Sequence, residues 1–165
     1  MNLSPADIAR IIVIGVGATA TMDVWLLLLQ RLGVPTLDFA MIGRWVAHWR
    51  SGVFAHEAIG TAPSVGGELA LGWLFHYASG VTFAWLLVAI EGVEWARDPS
   101  LLPALGVGMA TVAAPWLVMQ PAMGAGFASS RTPSPFKNRA RSLANHAVFG
   151  VGLYVAAVLL AWISR

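Results

Sequence analysis

Apolar positions in this chain fall into four runs, over residues 8–29, 69–90, 101–123 and 143–163, separated by more polar stretches. A helix needs about 20 apolar residues to cross roughly 30 Å of hydrocarbon, and each run is long enough. Start signals agree with the pattern. Ser4 and Pro5 precede the first run, and Pro103 lies in the opening turn of the third, where a missing N–H is tolerated. The pattern predicts an all-α fold, an integral membrane bundle of four transmembrane helices forming one domain over residues 1–165. The first run is too long for the apolar core of a signal peptide and shows no convincing cleavage site, so it is read as a retained span.

The connecting segments differ in length and charge. Loop one covers residues 30–68, loop two 91–100 and loop three 124–142. Seven of the ten basic residues (Arg31, Arg44, Arg50, Arg131, Lys137, Arg139 and Arg141) lie in loops one and three, whereas Arg10, Arg97 and Arg165 do not. By the positive-inside rule, loops 30–68 and 124–142 are expected in the cytoplasm and both termini in the periplasm. Loop one also holds an amphipathic segment. Asp38 is a candidate cap for a short helix over 39–50 whose Phe39, Ile42, Trp45, Val46 and Trp49 recur at helical spacing. That helix suits either the membrane interface, with Trp at headgroup level, or a place packed beneath the bundle. Residues 51–67 are punctuated by Gly and Pro and read as irregular.

Each span carries one awkward polar residue: Asp23, His76, Gln120 and His146. At about 1.5 Å per residue, Asp23 and His76 lie roughly 10 Å from the expected cytoplasmic ends of their helices. Gln120 and His146 lie roughly 5 Å in. The four are therefore expected at one level in the cytoplasmic half. Small residues share their faces: Gly15 and Thr19 before Asp23, Gly72 and Gly80 around His76, Gly150 after His146, and Gly106, Ala110, Ala113 and Leu117 before Gln120. Such stripes mark the faces that meet in a membrane, so the polar groups are expected to point inward. Pro115 and Pro121 each free a carbonyl four residues earlier, which predicts an irregular third helix near Gln120.

Composition narrows the chemistry. The chain is 58% hydrophobic and only 11% charged, with no Cys, which rules out disulfides and thiolate metal sites. Its net charge of +2 sits in the short loops, so topology explains it without nucleic acid. An ionised Asp at the centre of a span costs roughly 2.5–3.5 kcal/mol, which favours a paired or neutral Asp23. Asp23, His76, Gln120 and His146 form either a structural network or a polar cavity for a small solute, ion or proton. Arg131, after the Gly124–Gly126 turn, is a candidate anion contact. Asp23, His76 and His146 would also make a three-ligand metal site, and His76 with His146 an axial pair for haem. No local ligand motif supports metal, and no nucleophile, phosphate-loop or dinucleotide fingerprint supports an enzyme. His48, His56 and Glu57 in loop one read as solvated or interfacial.

Several segments together resemble a known family. These are GVGATATMD at 15–23, Gly43–Arg44–Trp45, the Glu68…Gly72–Trp73…His76–Tyr77 spacing, LLPALGVGMATVAAP at 101–115, MQPAMGAGFASSRTPSP at 119–135 and SLANHAVFGVGLY at 142–154. The chain is similar, over nearly its whole length, to the domain of unknown function 2938 family of small bacterial inner-membrane proteins. Ala122 stands where that pattern would have Gly. The resemblance implies a multi-pass membrane protein and supplies no reaction. The expected role is therefore a polar cavity in an inner-membrane protein without a resident cofactor. The alternatives are an accessory or assembly subunit, then a haem or metal redox protein. The lipid bilayer is the expected partner, with a homo-oligomer or larger membrane complex around it.

The lack of native Cys makes the topology directly testable. A membrane-impermeant thiol reagent applied from the periplasm should label Ser100→Cys and leave Ser51→Cys unmodified. The reverse labelling would invert the arrangement.

Overall fold

The computed structural model describes residues 3–164; Arg165, counted above in the charge bias, lies outside them. Among the described residues the chain is all-helical, with no strand. The helices are α1 (Pro5–Arg31), α2 (Phe39–His48), α3 (Glu68–Glu91), α4 (Leu101–Ala110), the short α5 (Gln120–Ala122) and α6 (Pro135–Ile163). Four segments are long and apolar enough to cross a membrane: Pro5–Arg31, Glu68–Glu91, Leu101–Ala122 and Pro135–Ile163. Only 22–33% of each segment's most apolar stretch is buried inside the protein. Exposed Val24, Leu27, Leu74, Ile90, Leu102 and Trp162 leave an apolar outer surface of the kind lipid covers.

Local chemistry explains the starts. The Ser4 hydroxyl oxygen accepts from Asp7 N–H at 3.2 Å, while Ser4 N–H donates to the Asp7 carboxylate at 3.1 Å, a reciprocal capping box. Asp38 accepts from Ala40 N–H at 2.8 Å and caps α2, as its position in the sequence predicts. α6 begins eight residues before the apolar window because Lys137, Asn138, Arg139 and Arg141 continue the same helix outside it. Hydropathy sees only the lipid-length part of such an element.

Contacts divide the chain into two compact units. The first contains the residues up to Pro35, Tyr77–Thr111 and those from Ala144. Its core includes Ile11, Ile14, Ala18, Ala84, Leu87, Val88, Phe149, Leu153 and Ala157. Here helix backbones touch at glycines. A Cβ on Gly15 would lie 2.6 Å from Val81 Cα, and one on Gly152 would lie 3.0 Å from Ala18 Cα. A Cβ on Gly108 would strike Gly150 Cα. The second unit contains Thr36–His76 and Val112–Leu143. In it α2 lies against the first turns of α3, with Gly43 meeting the Glu68 carbonyl and Gly72 meeting that of Phe39. Ile42 and Trp45 are buried there. These contacts pack α2 closely against α3.

The stripes expected on the first, second and fourth spans are seen: Gly15, Thr19, Gly72, Gly80 and Gly150 are buried. The stripe on the third span is wrong. Gly106 and Ala110 are exposed, and Leu117 is 60% exposed, whereas Ala104, Val107, Gly108 and Thr111 are buried. The cause is the chain between them. After Ala110 the α-helix gives way to a turn, and Pro115–Met119 forms a π-helical turn before α5. An added residue in a wide turn rotates everything beyond it by about 100°, so a helical phase counted back from Gln120 misses the true face.

Gly106 and Gly108 provide a matched pair. Gly108→Ala should lower thermal stability in detergent by about 1–3 kcal/mol through the clash with Gly150. Gly106→Ala, whose Cβ would meet nothing within 4 Å, should be neutral or stabilising. Equal effects would reject the close α4–α6 contact.

Candidate functional site

Each expected polar-layer residue has a defined setting. In the first unit, the Tyr77 hydroxyl donates to the Asp23 carboxylate at 2.8 Å, joining α3 to α1. A neutral hydroxyl donor satisfies a carboxylate within an apolar span without importing a second charge. His146 Nδ1 lies 2.9 Å from Thr111 Oγ1. That hydroxyl has one proton, which it donates to the Gly108 carbonyl at 2.6 Å. Its oxygen therefore accepts from His146, and the hydrogen-bond pattern assigns the imidazole proton to Nδ1. Trp25 Nε1–H donates to Asn145 Oδ1 at 3.0 Å, one residue before His146. Tyr77, Thr111 and Asn145 were missed as partners, although two of them adjoin the residues singled out.

The other two polar residues belong to the second unit. Gln120 Oε1 accepts from Ser129 Oγ–H at 3.0 Å, and the Gln120 carbonyl accepts from Ala125 N–H at 2.8 Å. His76 sits against aromatic rings, 4.7 Å from Phe39 and 5.9 Å from Trp73 between centroids. Asp23 and His146 thus lie in one unit, His76 and Gln120 in the other. Among the described residues, no group of three or more His, Asp or Glu side chains is disposed to hold a metal ion.

The expected irregularity around Gln120 is present and extensive. Gly124 and Gly126 take left-handed backbone conformations, and Ala128 and Ser129 follow with φ of 46° and 61°. Left-handed non-glycine residues cost about 1–2 kcal/mol each, so other contacts must hold them. Ser129 is held by Gln120, and Arg139 Nε–H donates to the Ala128 carbonyl at 2.8 Å. Arg131, the expected anion contact, is exposed; its N–H donates to the Ala125 carbonyl at 2.9 Å.

Loop one docks on this turn. His56 N–H donates to the Ala122 carbonyl at 2.7 Å and Ile59 N–H to that of Met123 at 3.1 Å. Gly124 lets the backbones meet, since a Cβ there would strike the Glu57 carbonyl. Arg44 and Glu68 hold α2 to α3 through two bonds, Nη2–Oε1 at 2.7 Å and Nε–Oε2 at 2.9 Å. This forked pair is largely shielded, and its hydrogen bonds to Glu68 raise the pKa of Arg44 further. The arrangement brings His48 and His56 together, with Nδ1 and Nε2 3.3 Å apart. Burial, then the neighbouring His48, holds His56 below the usual imidazole pKa. An open cavity of about 410 Å³ adjoins them, lined in part by Glu57 and Thr61. The reading of these residues from the sequence as solvated or interfacial does not include the pairing, because the chain reverses between them at Gly52 in a left-handed conformation.

Four apolar helices of spanning length, with ionisable groups hydrogen-bonded inside them, have the character of a multi-pass membrane protein. Residues 12–160 match the family described as Protein of unknown function (DUF2938), and the chain belongs to that family. No curated protein and no solved structure matches it.

The Arg44–Glu68 fork should be critical for the second unit. Arg44→Gln is expected to lower the melting temperature clearly. Glu94→Gln, at an exposed carboxylate whose side chain is 77% accessible, should change it little. Similar small shifts for both would show that the fork is dispensable.

Proposed function

We propose that this chain is a multi-pass protein of a bacterial inner membrane that handles a proton, or another small ion or solute, at a polar site in the cytoplasmic half of its spans. The hydrogen bond between Asp23 and Tyr77 carries the reading. A carboxylate placed within an apolar helix is costly enough that function is its default explanation. Asp23 is the charge centre in this reading. His146 is a titratable partner, with its Nδ1 engaged by Thr111. The depth argument from sequence, and that alone, adds His76 as a second titratable group and Gln120 as an orienting group, while the basic position after the Gly124–Gly126 turn adds Arg131 as a contact drawing anions inward. The π-helical turn at Pro115–Met119 supports the reading, since such turns are frequent at functional sites. In this reading loops 30–68 and 124–142 face the cytoplasm and both termini the periplasm.

A second reading is a non-catalytic accessory or assembly subunit. It is favoured by the hydroxyl partner found for each of Asp23, His146 and Gln120, because satisfied polar pairs hold membrane helices together. Purified protein in liposomes, with an imposed potassium gradient and an internal pH-sensitive dye, separates the two. If Asp23 serves proton movement, Asp23→Asn should abolish flux while shifting the melting temperature by no more than about 2 °C. Flux that survives alongside a clear loss of thermal stability would establish the structural role instead. Absence of flux in the unsubstituted protein would reject the proton form of the proposal.

A further inference from the structure

We propose that His48 and His56 form a two-imidazole site for a zinc-class divalent cation, opening onto the cavity lined by Glu57 and Thr61. This site is separate from the residues assigned to proton or solute handling and rests on different observations.

The geometry fits a shared cation. Two imidazole nitrogens bound tetrahedrally at 2.0–2.1 Å lie about 3.3–3.4 Å from each other. His48 Nδ1 and His56 Nε2 are 3.3 Å apart. On such an ion the ring centroids would stand about 5.2 Å apart. Here they are 5.0 Å apart, with planes inclined by 45°. A direct N–H hydrogen bond is usually about 2.7–3.2 Å long, so the observed 3.3 Å lies just beyond that range and at the short end of the chelating range.

Both rings are mounted on anchored backbone. His48 is the last residue of α2, which the Arg44–Glu68 fork ties to α3. His56 is pinned through its own N–H to the Ala122 carbonyl. Between them, Trp45 Nε1–H donates to the Phe54 carbonyl at 2.8 Å and Val53 N–H to the His48 carbonyl at 3.2 Å. The site therefore needs little ordering when a cation enters, which favours affinity. Both rings line the cavity, which leaves room for water or a small ligand to complete the coordination. Borderline cations such as Zn²⁺ suit imidazole, whereas Mg²⁺ and Ca²⁺ prefer oxygen.

The test uses the full chain in detergent with its affinity tag removed, Co²⁺ as the spectroscopic probe and Zn²⁺ as competitor. One Co²⁺ per chain should bind with the intense visible bands of four-coordination and be displaced by Zn²⁺. His48→Gln and His56→Gln should each weaken binding about tenfold or more. His76→Gln and His146→Gln should leave it unchanged. No binding, or binding that survives both loop substitutions or follows His76 or His146, would overturn the proposal. If a loop variant fails to fold, X-ray absorption on the zinc-loaded unsubstituted protein decides: two imidazole nitrogens at about 2.0 Å support the site, and an all-oxygen shell rejects it.

Discussion

Apolar side chains in a bilayer gain nothing by leaving lipid for one another, so membrane helices depend on close van der Waals contact and on hydrogen bonds between them. In this protein that requirement falls on a few glycines. Gly15 and Gly80 let α1 and α3 touch, Gly152 brings α6 onto α1, and Gly108 with Gly150 brings α4 onto α6. Gly43 and Gly72 do the same for α2 and α3 in the second unit. A side chain at these positions would hold the backbones apart and lengthen the polar contacts nearby. The hydrogen bonds of Asp23 and His146 exist at their observed lengths because the helices approach so closely.

Polar groups are handled consistently. Asp23, His146 and Gln120 each meet a hydroxyl, from Tyr77, Thr111 and Ser129. Hydroxyls donate or accept without carrying charge, so they satisfy a titratable group while leaving its protonation state open. A full ion pair in the same place would carry two desolvation costs. The Arg44–Glu68 fork is such a pair, and it stands at the first turn of α3, where the guanidinium also reaches the Ala62 carbonyl at 3.2 Å.

The most irregular backbone joins distant parts of the sequence. Left-handed Gly124 and Gly126, then Ala128 and Ser129, fold the chain so that Ala122 and Met123 present carbonyls to His56 and Ile59. Loop one is thereby converted from a linker into a docked element. The pairing of His48 with His56 follows from that docking.

The sequence by itself determined the all-helical class, the four segments long and apolar enough to cross a membrane, the caps at Ser4 and Asp38, and the small-residue faces of three of those segments. Those features rest on composition and period, which are local. The family resemblance was also legible there, because it lies in the order of residues. Tertiary structure decided three things that period could not reach. The face of α4 depended on the π-helical turn at Pro115–Met119, since one wide turn rotates the helical phase. The partners of Asp23 and His146 depended on which side chains other helices brought close. The His48–His56 pair depended on a chain reversal at Gly52 and on carbonyls some 65 residues away, a coincidence of position that neither imidazole announces in the sequence.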